Sequence, residues 1–367
     1  MRIGVPRESV PGENRVGLVP ESVTRLKKAG VDVRVQRGAG TPANYPDEAY
    51  AAAGAELVDS MEAALSDADV VVKVQRPSLA ECDLLRHGAI LISLLPVATS
   101  AEIVARLSSR GVTALALEKV PRITRAQSMD ILSSQATIAG YKAVLIGASH
   151  SCKLMPMLTT AAGNIPPAKA FVIGAGVAGL MAIATARRLG AQVSGFDVRA
   201  AAREQVLSLG ATFVGPEPST DAEAAGGYAR AQTDEEKAKT MEALAQHLKD
   251  QDLVVTTAQI PGKAAPRLIT AAMVGTMKPG AVIVDLAAET GGNCEGTVAG
   301  EVVQAHGVTI VGAVNLPSTI PFHASVMFSK NVLTLLQHLI KDGAITINLE
   351  DEITGPMCLT HAGQSRT

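Results

Sequence analysis

Residues 168–199 read AKAFVIGAGVAGLMAIATARRLGAQVSGFDVR. The stretch opens with an apolar run of strand length. Gly174, Gly176 and Gly179 follow in G-x-G-x-x-G spacing. Helical spacing then runs to Gly190, and a second strand-like run ends at Asp197. A glycine triplet alone is a weak signal. One that closes a strand, opens a helix and has an acid about 20 residues on is a dinucleotide-binding fingerprint. Gly174 permits the tight turn, Gly176 lets a pyrophosphate approach the backbone, and Gly179 lets helix and strand lie close. The helix start adds N–H groups with no intrahelical acceptor and a partial positive charge. Asp197 is placed to accept from the adenosine ribose hydroxyls. Its charge would repel a 2′-phosphate, which favours NAD over NADP. Arg199 pulls the other way, because an arginine there can hold a 2′-phosphate.

The same alternation extends in both directions. Upstream, MRIGVP, VDVRVQ, DVVVKVQ, AILISLL and VTALALEKV have strand character. PESVTRLKKAG, PDEAYAAAG, MEAALSDA and a capped SAEIVARLSSRG have helical character. Downstream, ATFVG, DLVVTTA, AVIVDLA and GVTIVGA are buried-strand runs, with AAREQVLSLG a helix between QVSGFDV and ATFVG. Strands alternating with helices predict an α/β chain with parallel sheets covered on both faces. At 367 residues the chain is too long for one ordinary core. Two domains are expected, with residues 128–148 as a connecting helix and 149–319 as the nucleotide-binding domain. The long helical run ASVMFSKNVLTLLQHLI returns the chain to the first domain, which comprises 1–127 and 320–367. ITINL, at 345–349, is a candidate further strand. Gly38-Ala39-Gly40 lacks a third glycine and reads as a turn.

Other classes are disfavoured. Net charge is −2 and aromatic residues are 2% of the chain, so there is neither a basic run nor a stacking platform for nucleic acid. The N-terminus has no signal-like apolar stretch, and no window reaches the length of a membrane span, so no direct membrane insertion is expected. The four cysteines form no CxxC pair and read as reduced thiols, mostly buried. The seven histidines form no HxxxH or HxH set, so no metal site is expected.

Two segments break the regularity. Residues 217–237, EPSTDAEAAGGYARAQTDEEK, make a polar insertion between a strand and a helix. A loop of that length is functional or disordered. The favoured reading is a mobile loop, 215–235, that closes over a ligand. Residues 122–135, RITRAQSMDILSSQ, gather Arg122, Arg125, Gln127, Asp130 and Ser133 in a chain otherwise rich in Ala, Val and Leu. On composition alone this is equally the polar start of a solvated helix.

Taken together, these motifs resemble the NAD(H)-binding subunit (domain I) of proton-translocating nicotinamide nucleotide transhydrogenases, a family related to alanine dehydrogenase. The resemblance spans nearly the whole chain. It rests on PRESVPGENRVGLVPESV, KVQRP, PRITRAQSMDILSSQ, the fingerprint with FDVRAA, AAGGYA, IPGKAAP and VIVDLAAETGGNCE. It implies two Rossmann-like doubly wound parallel-sheet domains joined by long helices, with the cofactor in the cleft, and a homodimer.

In that family the segment matching 122–133 reaches the nicotinamide and its ribose. Arg122, Gln127, Asp130, Ser133 and the loop's Tyr228 match functional positions, with Gln127 at the face where two nicotinamides meet. The cofactor-binding set expected on this reading is Arg122, Gln127, Ser128, Met129, Asp130, Ser133, Gly174, Gly176, Val177, Gly179, Asp197, Val198, Arg199, Gly227 and Gln259.

Alanine dehydrogenases have a histidine where GAILISLLPVA has Pro96, and an aspartate where Glu289 stands. Lys73 and Arg15 resemble their substrate-carboxylate residues, but ion pairing within the first domain is the favoured role for both here. Hydride exchange between two nicotinamides moves no proton at the reacting carbons, so it tolerates a site without that histidine. The expected activity is NAD(P) transhydrogenation of the Si-specific, proton-translocating type, by an alpha subunit. NAD(H) would sit on this chain and NADP(H) on a partner subunit. A membrane-spanning subunit would complete a split enzyme at the cytoplasmic face of the inner membrane. The alternatives are a soluble NAD-dependent amino-acid dehydrogenase of the alanine type and a non-catalytic NAD-sensing subunit.

Overall fold

The computed structural model describes residues 1–215, 233–260, 262–341 and 343–366. It divides into two compact units, Met1–Gln135 with Pro317–Thr367, and Ala136–Leu316.

Among the described residues the first unit contains an eight-stranded sheet. Its spatial order is Gln364–Ser365, Cys358–His361, Thr113–Ala116, Ile90–Ser93, Val70–Val72, Arg2–Val5, Asp32–Gln36, Glu56–Val58. The last six pair in parallel; Cys358–His361 joins Thr113–Ala116 antiparallel. The two-residue period of a strand sends neighbours to opposite faces. Val70 and Val72 pack on one side, against Val23 and Leu26 of the helix Pro20–Lys28 and Phe328, Val332 and Leu336 of the helix Pro321–Leu339. Val71, Leu91 and Ala114 pack on the other, with Leu65, Val104 and Leu107. Both faces are dry, which is why these strands are continuous apolar runs rather than alternating ones.

The second unit holds a seven-stranded sheet in the order Thr212–Phe213, Gln192–Phe196, Lys169–Ile173, Leu253–Thr256, Val282–Asp285, Val308–Gly312, Val302–Ala305. The last strand is antiparallel. Numbered along the chain, the six parallel strands run 3-2-1-4-5-6, the doubly wound order that reverses beside the first strand. Both units are therefore Rossmann-like.

Several local expectations differ from what is found. ITINL adds no strand to the large sheet. Among the described residues Ala344–Ile345 pairs only with Ile340–Lys341, and the C-terminal segment instead adds Cys358–His361 and Gln364–Ser365. Ser100 stands at the start of the helix Ala101–Ser109 but makes no capping bond. The Arg76 Nη1 group reaches its hydroxyl at 3.5 Å. The connecting helix expected from residue 128 begins three residues later. Thr124–Met129 is a 3-10 turn, Asp130 is extended, and the α-helix is Ile131–His150. The break follows from Asp130, whose Oδ1 accepts the Ser133 N–H at 2.9 Å and Oδ2 the Ser133 hydroxyl at 2.6 Å. Its side chain caps a helix that starts one residue later.

Candidate active site

The second unit builds its site where its strand order reverses. Gly174 leaves Lys169–Ile173 with φ +95°, a conformation that favours glycine. Its carbonyl accepts from the Thr257 hydroxyl at 3.0 Å, beyond the adjacent strand Leu253–Thr256. Gly176 caps the helix Val177–Arg188, and a Cβ on it would meet nothing among the described residues within 4 Å. A Cβ on Gly179 would lie 1.8 Å from the Gly174 carbonyl oxygen. The turn is thus closed at Gly179 and open at Gly176, with the first-turn N–H groups of the helix beside the open side. That is a cradle suited to a diphosphate, so these residues fit a dinucleotide.

Asp197 is 7% exposed and heavily engaged. Its Oδ2 accepts the Ala175 N–H at 2.7 Å and Arg199 Nη2 at 2.8 Å. Its Oδ1 accepts the Arg199 N–H and Nε, both at 2.9 Å. Val177 is exposed at the helix start, and Val198 packs against the apolar cluster around Phe171 and Ile173. The exposed Gln259 donates through Nε2 to the Leu286 carbonyl at 2.9 Å. Gly227, Tyr228 and most of the expected 215–235 loop lie outside the described residues.

In the first unit, Pro121, Arg122, Gln127, Asp130 and Ser133 line a depression of about 330 Å³. The 3-10 turn that carries Gln127 is held from below by Ala126 and Met129, both buried in the core. Asn331 Nδ2 donates to the Ser128 carbonyl at 2.7 Å, and Arg125 Nη2 pairs with Asp351 at 3.2 Å and Glu352 at 3.0 Å. The Asp351 carboxylate lies well below the usual range. Burial opposes that shift, but the N–H groups of Thr354 and Ile353 and the side chains of His338 and Thr354 outweigh it. Gln127 is exposed, and its amide makes no hydrogen bond among the described residues. Of the residues expected on this turn, Met129 faces the core and Ser128 contributes its carbonyl to the Asn331 contact.

A buried ionic network lies in the same unit. Lys73, 1% exposed, places Nζ 2.8 Å from Glu81 and 3.6 Å from Glu8. Arg15, 3% exposed, forks onto Glu13 at 2.8 and 2.7 Å and reaches Gln135 Oε1 at 2.9 Å. Burial alone would raise the Glu13 carboxyl, but the Arg15 guanidinium and the Gln75 amide bring it down to about 2. Lys73 likewise overcomes burial at Glu81 and lowers it. At Glu8 burial wins over Lys73 and two backbone N–H groups, and the carboxyl is raised. Pro96 is exposed beyond Ile90–Ser93. The Leu95 N–H next to it is taken by Glu118, whose carboxyl burial raises. Glu289 is exposed on the short turn Ala288–Thr290.

Three supporting residues stand outside the expected site set. Gln135 and Asn331 sit in apolar helical runs, and Asp285 ends a buried strand. Asp285 accepts from Thr256, Ala287, Cys294 and Thr297 and so ties down the loop 286–297. A polar residue at an apolar position of a periodic run is the one signal that marks Gln135 and Asn331.

A doubly wound sheet with this glycine turn at its reversal point defines a dinucleotide-binding α/β protein of two Rossmann-like units. The chain belongs to the alanine dehydrogenase/PNT family. The N-terminal domain of that family matches residues 4–139 and the C-terminal domain 143–367. It is 49% identical to the first portion of NAD(P) transhydrogenase subunit alpha from Rhodospirillum rubrum, over 99% of this chain and 97% of that protein. The alanine dehydrogenase of Mycobacterium tuberculosis is 33% identical over 88% of this chain and 82% of its own length. The crystal structure of a transhydrogenase from Sinorhizobium meliloti superposes with a TM-score of 0.91 at 45% identity, covering all of both chains. Relatedness thus favours the transhydrogenase side of the family over the dehydrogenase side. Among the described residues no helix is long and apolar enough to cross a membrane.

Proposed function

We propose that this chain is the NAD(H)-binding subunit of a proton-translocating transhydrogenase. It exchanges hydride directly between its own NAD(H) and NADP(H) on a partner subunit, and membrane subunits couple the exchange to proton movement. The bound dinucleotide supplies the hydride chemistry. The glycine turn at 174–179 binds the pyrophosphate, Asp197 meets the adenosine ribose, and residues 122–133 act on the nicotinamide end. There Arg122 and Ser133 bind, Asp130 holds Ser133 in place, and Gln127 aligns the face presented to the second nicotinamide. Gly227 and Tyr228 complete the site from the loop. Hydride exchange asks for alignment and exclusion of water rather than proton transfer.

The observation that carries this reading is the state of Lys73 and Arg15. An amino-acid dehydrogenase needs a free cation for the substrate carboxylate and a proton-handling residue at the reacting carbon. Here both candidate cations are buried and paired with Glu81 and Glu13, and Pro96 stands where the histidine would. The test is to mix the chain with an NADP(H)-binding transhydrogenase subunit and follow reduction of an NAD analogue. Exchange only in the mixture is expected. Turnover of pyruvate, ammonia and NADH by the chain alone would establish the dehydrogenase instead, and NADH binding without exchange in the mixture would leave a sensor.

A further inference from the structure

We infer that Arg199 sets dinucleotide selectivity by competing with the adenosine ribose for Asp197. The inference rests on the dinucleotide reading above and concerns the same site. A carboxylate offers about four lone-pair sites. Those of Asp197 receive four donors, the N–H groups of Ala175 and Arg199 and the Nε and Nη2 groups of Arg199. Two of the four belong to the backbone, one in the turn and one at the start of the helix Ala200–Ser208, so they are fixed. The guanidinium is the movable pair. A ribose hydroxyl can donate to Asp197 only by displacing part of that fork.

The exchange has two consequences. Binding NADH requires part of a bidentate contact to a largely buried carboxylate to be given up, which weakens NADH. The released guanidinium remains within reach of the ribose, where it offsets the repulsion between Asp197 and a 2′-phosphate. Arg199 therefore acts against NADH and for NADPH, and it narrows a preference that Asp197 alone would make wider.

The test titrates the full chain with NADH and with NADPH, read by nicotinamide fluorescence, for the unaltered protein, Arg199→Ala and Arg199→Lys. Arg199→Ala is expected to tighten NADH by about threefold and to weaken NADPH by about tenfold, the scale of one charge-assisted contact. Arg199→Lys keeps the charge but not the fork, so it should tighten NADH and leave NADPH close to the unaltered value. Weakening of both ligands by Arg199→Ala, or no change in either, overturns the inference while the unaltered chain's NADH binding leaves the dinucleotide reading intact. Failure of the unaltered chain to bind either dinucleotide overturns both.

Discussion

Gly179 lies so close to Gly174 that a single added carbon on it would sit 1.8 Å from the Gly174 carbonyl oxygen, whereas the same carbon on Gly176 would touch nothing among the described residues. The two glycines therefore do different work. Gly179→Ala forces helix and strand apart and should destabilise the protein by about 1–3 kcal/mol, as overpacking does. Gly176 already has φ −75°, which alanine adopts freely. Gly176→Ala should melt with the unaltered chain yet bind NADH at least tenfold more weakly, because the methyl occupies the diphosphate cradle. Thermal melts and NADH titration of both variants check this. Equal melting points would contradict the packing role of Gly179, and full NADH affinity in Gly176→Ala would contradict the cradle.

Gln127 has an exposed amide without a partner among the described residues, on a turn held from beneath by Asn331. Replacing it should change stability by less than about 0.5 kcal/mol, as surface substitutions do. Gln127→Asn should slow hydride exchange by about 10- to 100-fold with NADH binding nearly intact, because a displacement of about 1 Å at a reacting face has that effect. Asn331 differs. Its Oδ1 is buried without a partner among the described residues while its Nδ2 satisfies the Ser128 carbonyl. A half-satisfied buried amide is unfavourable by itself, so its use is to hold the turn. Asn331→Leu should leave the core intact, loosen the turn and slow exchange more than it weakens NADH. Parallel loss of binding and exchange in either variant would rule out an alignment role.

Much of this was readable from residue order because two-sided burial writes a strand as an unbroken apolar run, and Val70–Val72 and Val282–Val284 are such runs. The glycine spacing was legible because each glycine answers a local steric demand. What escaped was non-local. CLTH at 358–361 is short and half polar, and only its pairing to Thr113–Ala116 makes it a strand. Gln135 reads as the start of an apolar helix, but its side-chain Oε1 is the acceptor for Arg15, 120 residues away. Spacing placed Arg199 beside Asp197. It could not tell whether the guanidinium turned outward or closed on the carboxylate, which is the fact that bears on selectivity.

The buried network has three carboxylates, Glu8, Glu13 and Glu81, for two cations, Lys73 and Arg15. Glu13 protonates near its ordinary 4.5 when unfolded but near 2 in the fold. Its contribution is therefore complete above 4.5 and is lost as pH falls toward 2. Glu81, also lowered, acts in the same direction. Glu8 is opposite. Its carboxyl is raised in the fold, so keeping it ionised opposes folding at neutral pH, and the fold gains as pH drops through its raised value. Glu8→Gln should accordingly melt higher than the unaltered chain at neutral pH, with the gap closing on acidification. Glu13→Gln leaves Arg15 buried without its counter-ion and should lose about 3–5 kcal/mol at neutral pH. Melts by circular dichroism across the acid range decide it, and a pH-independent gap for Glu8→Gln would refute the account.

Asp197 makes the sharpest prediction because its two possible roles move selectivity differently. If it only braces the turn through the Ala175 N–H, then Asp197→Ala should weaken NADH and NADPH by the same factor. If it also accepts from the adenosine ribose, its removal deletes a contact that NADH makes and a charge that NADPH avoids. Asp197→Ala is then expected to weaken NADH by about tenfold, the usual size of a hydrogen bond to a charged group, and to narrow the preference over NADPH. This is the reverse of the widening expected from Arg199→Ala. In the double variant the competitor and the acceptor are both gone, so the NADH gain from removing Arg199 should vanish. That non-additivity is the signature of two residues acting through one contact. Additive effects on NADH would separate the two side chains and return Asp197 to a bracing role.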